Sequence, residues 1–133
     1  MGYTRYWYAT GKQFTDEFIE KVKKIVAAAE KDGIRICGSM GDGEPYYDHE
    51  VIAMNGDAAK NEDYETFAIE ENLNENIPGI KPGFGFCKTA RNPYDCVVNA
   101  VLQLAKKEGY VKKISSDGEN DEEHAKRLLE AAE

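Results

Sequence analysis

The 133-residue chain reads as an α+β domain. Three observations predict it. Two clear helical stripes, at residues 15–32 and 92–107, are separated by a long stretch of short strand-like runs. The order of elements is β-α-β-β-β-β-α-β-α rather than a regular strand–helix alternation, which favours a mainly antiparallel or mixed sheet with helices largely on one face. The length suits one domain, 1–133, and no repeat, low-complexity tract or linker interrupts it.

The first strand is expected over residues 3–9. Alternation puts Tyr3, Arg5 and Trp7 on one face and Thr4, Tyr6 and Tyr8 on the other. Both faces are partly apolar, as for a strand inside a sheet. Thr15 is a good N-cap for the first helix, with Asp16 and Glu17 in the first turn and a Phe14–Ile19 staple. Phe18, Val22, Ile25, Val26 and Ala29 form its stripe, and Gly33 is the left-handed stop.

Strands are expected at residues 34–37, 47–54 (closed by the Asn55-Gly56 turn signal), 64–69 and 83–88, with a loop over 70–82 containing Pro78 and Pro82. The second helix, 92–107, is apolar almost all round through Val97, Val98, Val101, Leu102 and Leu104. Such a helix lies deep against a sheet or in a homodimer or larger homo-oligomer interface. A sixth strand is expected at 110–115. A last helix is expected to be capped by Asn120, with Glu123 at the capping-box position.

Composition narrows the function. With 17 Lys and Arg against 25 Asp and Glu, the formal charge is −8, which argues against non-specific binding to nucleic acid or to an anionic membrane. No apolar run is long enough to span a bilayer and no secretory signal follows Met1, so a cytoplasmic protein is expected. Cys37, Cys87 and Cys96 form no C-x-x-C pair, and with His49 and His124 they lack zinc-site spacing. Reduced, buried thiols are expected, with no metal and no cofactor.

Residues 86–95 (FCKTARNPYD) carry the chemistry. Asn92 suits an N-cap, Pro93 the first helical position, and Asp95 can reach back to the cap. A strand thus enters a helix through a loop bearing Lys88, Thr89 and Arg91. Two readings stand side by side. In one, Lys88, Thr89, Arg91 and Asn92 hold a phosphate or carboxylate, while Trp7, Tyr94 or Phe86 stacks on a ring. In the other, Asp95 occupies the helix end itself and Arg91 pairs with a surface acid. No P-loop or dinucleotide-binding glycine pattern is present.

Lesser candidates each have a bland alternative. Residues 38–44 form a mobile connection, a lid or an acidic metal loop without calcium-loop spacing. Cys87 is a buried thiol or a nucleophile lacking a placed histidine. Ser115, Ser116 and Asp117 end a strand in a turn, or the paired hydroxyls there supply ligand-facing donors. The acid-rich C-terminal stretch is a solvated face or a mimic of nucleic acid.

The chain resembles a family of small uncharacterised phage and prophage proteins. The resemblance rests on Met1–Trp7 (MGYTRYW), Gly41–Pro45, Met54–Asp57, Glu65–Phe67, Phe86–Asp95 and Ser115–Gly118. Asn92 stands where that family has Lys, and Met54 where it has Phe. The resemblance implies a phage context without an established activity. The leading expectation is a non-catalytic binder of a phosphate-bearing small molecule, such as a nucleotide immune signal, acting against host defence. An acidic inhibitor of a host protein and a small hydrolase using Asp95, Asp117 or Glu65 are the alternatives.

Overall fold

Strand β1 (Thr4–Ala9) alternates as its sequence predicts: Arg5 and Trp7 are buried on one face, while Tyr6 and Tyr8 are half-exposed on the other. In the computed structural model, which describes residues 2–71, 78–79 and 81–133, β1 is the centre of an antiparallel sheet. Its neighbours are β5 (Phe84–Lys88) and β6 (Val111–Ser116). A second antiparallel sheet is built from β2 (Tyr46–Tyr47), β3 (Val51–Met54) and β4 (Phe67–Glu70). The protein is thus α+β, with two three-stranded sheets where one was expected.

Helix α1 (Asp16–Lys31) begins as predicted, with Thr15 Oγ1 accepting the Phe18 N–H at 3.1 Å. It ends in a Schellman motif: the Gly33 N–H donates to the Glu30 carbonyl and the Ile34 N–H to the Ala29 carbonyl. That ending corrects the strand expected at 34–37. The Ile34 amide closes the helix, and only Cys37 makes a β-bridge, to Asn55. The expected 47–54 strand is also broken, because Asp48 Oδ1 accepts the Glu50 and Val51 N–H groups, both at 2.8 Å, and turns β2 into β3. Of the expected 70–82 loop, Glu70 ends β4, and residues 72–77 and 80 lie outside the described residues.

Helix α2 (Asp95–Lys107) starts later than Asn92 predicts, with Tyr94 at the cap position and no side-chain cap. The Asn92 amide instead donates to the Asp63 carbonyl at 2.9 Å. Helix α3 (Glu122–Ala131) likewise lacks its expected Asn120 cap: Asp121 takes that place at φ +45°, and the Asn120 side chain is drawn elsewhere. Helix α2 packs on β6, and both α1 and α3 pack on α2, which accounts for its ten buried residues within the chain itself. The core is one cluster running from Trp7 through α1, β3, β4 and α2. Gly56 is fixed by that packing, since a Cβ there would lie 2.1 Å from the Glu62 carbonyl oxygen. No helix among the described residues is long and apolar enough to cross a membrane.

Candidate functional site

Three segments distant in sequence meet at one end of the β5-β1-β6 sheet: the start of β1, the 86–95 segment and the turn after β6. Each reaches it through β-pairing, with Thr4 opposite Lys88 and Arg5 opposite both Cys87 and Ser116. At the centre lies Asp95, fully buried. Its carboxylate accepts Arg5 Nε and Nη2, both at 2.9 Å, together with the Thr89 hydroxyl at 2.6 Å and the Asn120 amide at 2.9 Å. Burial works against the Arg5 charge, but the hydrogen bonds and field of Asp95 outweigh it and hold the guanidinium above its ordinary value. A pair this enclosed is tolerable only because nearly every polar atom is satisfied.

This corrects the expected roles of two residues. Asp95 does not reach back to a cap at Asn92, and Thr89, 0% exposed, is a structural donor to Asp95 with no surface to offer a ligand. Two of the proposed stacking rings are corrected as well. Trp7 and Tyr94 are each 1% exposed, so neither presents a ring face to solvent. The Tyr94 hydroxyl donates to the Glu65 carbonyl at 2.6 Å, and burial pushes its pKa upward. Trp7 packs edge-on against Phe67, and its indole N–H finds no hydrogen-bond partner among the described residues.

The outward half of the segment is different. Phe86 is 55% exposed, and alternation along β5 places Lys88 on its face. Beyond β5, the Asn92 N–H donates to the Thr89 carbonyl across a tight turn whose central residues, Ala90 and Arg91, both have positive φ, +55° and +59°. A turn with two such residues favours Asn-Gly, and ordinary side chains there cost roughly 1–3 kcal/mol each. The Tyr3 carbonyl holds the turn by accepting the N–H groups of Thr89 and Ala90. Arg91 itself is exposed, with its guanidinium 4.3 Å from the centre of the Tyr3 ring and a long contact to the Glu119 carbonyl. Among the described residues no carboxylate pairs with Lys88 or Arg91.

The turn after β6 closes the site. Asp117 accepts the Thr4 N–H at 3.0 Å and the Tyr6 hydroxyl at 2.7 Å, which holds the Tyr6 proton more tightly than usual. Tyr3 and Ser116 both donate to the Gly118 carbonyl. Ser115 and Ser116 also line a cleft of about 140 Å³ between β6, α2 and α3, with Arg5, Asn99, Gln103 and Glu122. The cysteines are all buried, and burial pushes the thiols of Cys87 and Cys96 up to about 12. The 38–44 loop is tied by backbone bonds from Gly38 to Asp42 and from Ala58 to Gly41. Among the described residues no three metal-ligating side chains converge.

Sequence reasoning missed Arg5, Tyr3 and Asn120. A usable signal was present for the first: Arg5 shares a β1 face with Trp7, so a buried indole implies a buried guanidinium that needs an acid. Compared with known proteins, the chain matches no family model, and no curated protein or solved structure is significantly similar to it.

Proposed function

We propose that the protein is a non-catalytic binder of a phosphate-bearing small molecule, with Lys88 and Arg91 facing the phosphate and Phe86 the ring. One observation carries this reading: in a chain with 25 acids, these two cations stand without a carboxylate partner among the described residues, Lys88 on the same β5 face as the exposed Phe86 and Arg91 in the turn that follows. The strained Ala90-Arg91 turn supports it, because strain of this kind concentrates where a side chain must be aimed for function. Asn92, committed to Asp63, orients the loop rather than the ligand. Taken with the resemblance to phage and prophage proteins, the ligand is a nucleotide signal sequestered in the host cytoplasm.

Thermal unfolding in the presence of mononucleotides, cyclic nucleotides and inorganic phosphate tests the reading. A ligand at a hundred times its Kd adds ~2.7 kcal/mol to stability, a shift of several degrees for a domain of this size. Lys88→Ala and Arg91→Ala should each abolish that shift while leaving the unliganded melting temperature nearly unchanged. If no nucleotide and no phosphate raises it, the reading fails.

A further inference from the structure

We infer that the cleft between β6, α2 and α3 binds a free α-amino acid with an apolar side chain. Its carboxylate would lie on the Arg5 guanidinium, its ammonium on Glu122 and its side chain against Leu129. This site is separate from the one built on Lys88 and Arg91. Arg5 is paired directly with Cys87 and Ser116 and shares their face of the sheet, the one turned to the core, whereas Phe86 and Lys88 lie on the opposite face.

The Arg5 side chain is 6% exposed, and only part of its hydrogen-bonding capacity is used. Its Nε and Nη2 face Asp95, so the planar group turns Nη1 away from that carboxylate. Among the described residues Nη1 makes no hydrogen bond. Nor is it sealed in: among those residues the Trp7 indole N–H is the one enclosed side-chain group left without a partner. Because Arg5 forms part of the wall of the 140 Å³ cleft, the unused N–H donors of Nη1 open into it. Glu122 stands beside them, with Oε1 3.7 Å from Nη2, too far for a hydrogen bond. Asn99 holds Glu122 in place by donating to Oε2 at 2.7 Å.

A guanidinium and a carboxylate this close, yet not hydrogen-bonded to each other, match a molecule that carries both opposite charges on one carbon. Charge balance points the same way. Asp95 already offsets Arg5, and Glu122 adds a further negative charge, so a phosphate dianion is repelled here while a zwitterion is not. The cleft continues into a second of about 260 Å³, which shares Asn99, Gln103 and Glu122 and is walled by Ala125 and Leu129. Together the two fall in the lower range of small-molecule sites, ~300–1,000 Å³. The first takes the charged head, and the second takes an aliphatic side chain.

Calorimetric titration of the full chain with leucine, valine, methionine and phenylalanine should show binding by at least one. For leucine the comparison ligands are leucinamide, which lacks the carboxylate, and isocaproate, which lacks the ammonium; the other amino acids have equivalent pairs. Each loss should weaken binding ~10-fold, as for one charge-assisted hydrogen bond, and glycine should also bind more weakly. The Glu122 side chain is half-exposed, and in Glu122→Gln the amide oxygen can still accept from Asn99. That variant should weaken the amino acid ~10-fold and leave the ammonium-free acid unchanged. Lys88→Ala and Arg91→Ala should leave amino-acid affinity as it is. Absence of binding by all four amino acids, or equal affinity for an amino acid and either truncated form, overturns the inference, as does loss of binding in the Lys88 or Arg91 variant. The phosphate-binding reading concerns the other face and is judged by its own nucleotide titration.

Discussion

The two sides of the 86–95 segment differ in burial and in what their side chains bind. Inward, Thr89, Tyr94 and Asp95 are almost wholly buried, and their side chains are bound to Arg5, Asn120 and the Glu65 carbonyl. Outward, Phe86, Lys88 and Arg91 reach the surface with no carboxylate pairing either cation among the described residues. Adjacent residues thus do opposite work. The inner set fixes the backbone of the turn, and that rigidity lets Ala90 and Arg91 hold a strained αL geometry. A binding residue is most accurate when its neighbours, rather than itself, carry the folding energy.

The largest effect should come from cutting the centre of the inner side. Asp95→Ala leaves the buried Arg5 guanidinium with only the 3.7 Å contact to Glu122 and strands the Thr89 hydroxyl and Asn120 amide. Losing one member of a buried pair costs ~3–5 kcal/mol, a large part of the stability of a domain this size. Urea unfolding should show that loss, and Asp95→Asn should show a smaller one. Thiol labelling gives a second readout. Cys87 and Cys96, with burial holding their pKa values at about 12, should resist a disulfide reagent at pH 8 in the native chain and react in the Asp95→Ala variant. A loss below ~1 kcal/mol would mean that the inner side does not anchor the turn.

This contrast also shows what the sequence could and could not reveal. Thr15, Gly33 and the α1 stripe are legible because their partners lie within a few residues. The central place of β1 in its sheet follows from its two apolar faces. Asn92 and Asn120 look like helix caps by the same local logic, yet their amides are spent on Asp63 and Asp95, 29 and 25 residues away. Asp95 looks like a capping acid, and its chief partner, Arg5, is 90 residues distant. Local patterns therefore misjudged the inner side of the segment, since long-range hydrogen bonds outcompeted the caps. The surface position of Lys88 and Arg91 needs no such distant partner, so residue type alone indicates it.

A middle-sized effect is expected at Tyr94, which ties the helix entrance to the second sheet. Its hydroxyl donates to the Glu65 carbonyl, while the Glu65 N–H donates to the Lys88 carbonyl and the Glu65 carboxylate accepts the Lys88 N–H. Tyr94→Phe keeps the ring and removes only the donor, leaving the Glu65 carbonyl with the longer 3.5 Å bond from the Cys87 thiol, at ~1–2 kcal/mol. Urea midpoints measure it. Because Glu65 braces Lys88 through the backbone, this variant should also weaken nucleotide binding, although residue 94 never touches the ligand. A change in stability with unaltered binding would separate the two sides that the structure joins.

The smallest effects on stability belong to the outer side itself. Lys88→Gln removes a charge that pairs with no carboxylate among the described residues, so the unliganded chain should change by no more than ~0.5 kcal/mol, as at ordinary surface positions. Arg91→Gln should cost slightly more, ~0.5–1 kcal/mol, because the guanidinium also covers the Tyr3 ring. The order Asp95, Tyr94, Arg91, Lys88 in stability should therefore invert in binding, where the two cations matter most. If Lys88→Gln destabilised the fold as much as Tyr94→Phe does, its ammonium would be a structural group, and the division between an anchoring side and a presenting side would be lost.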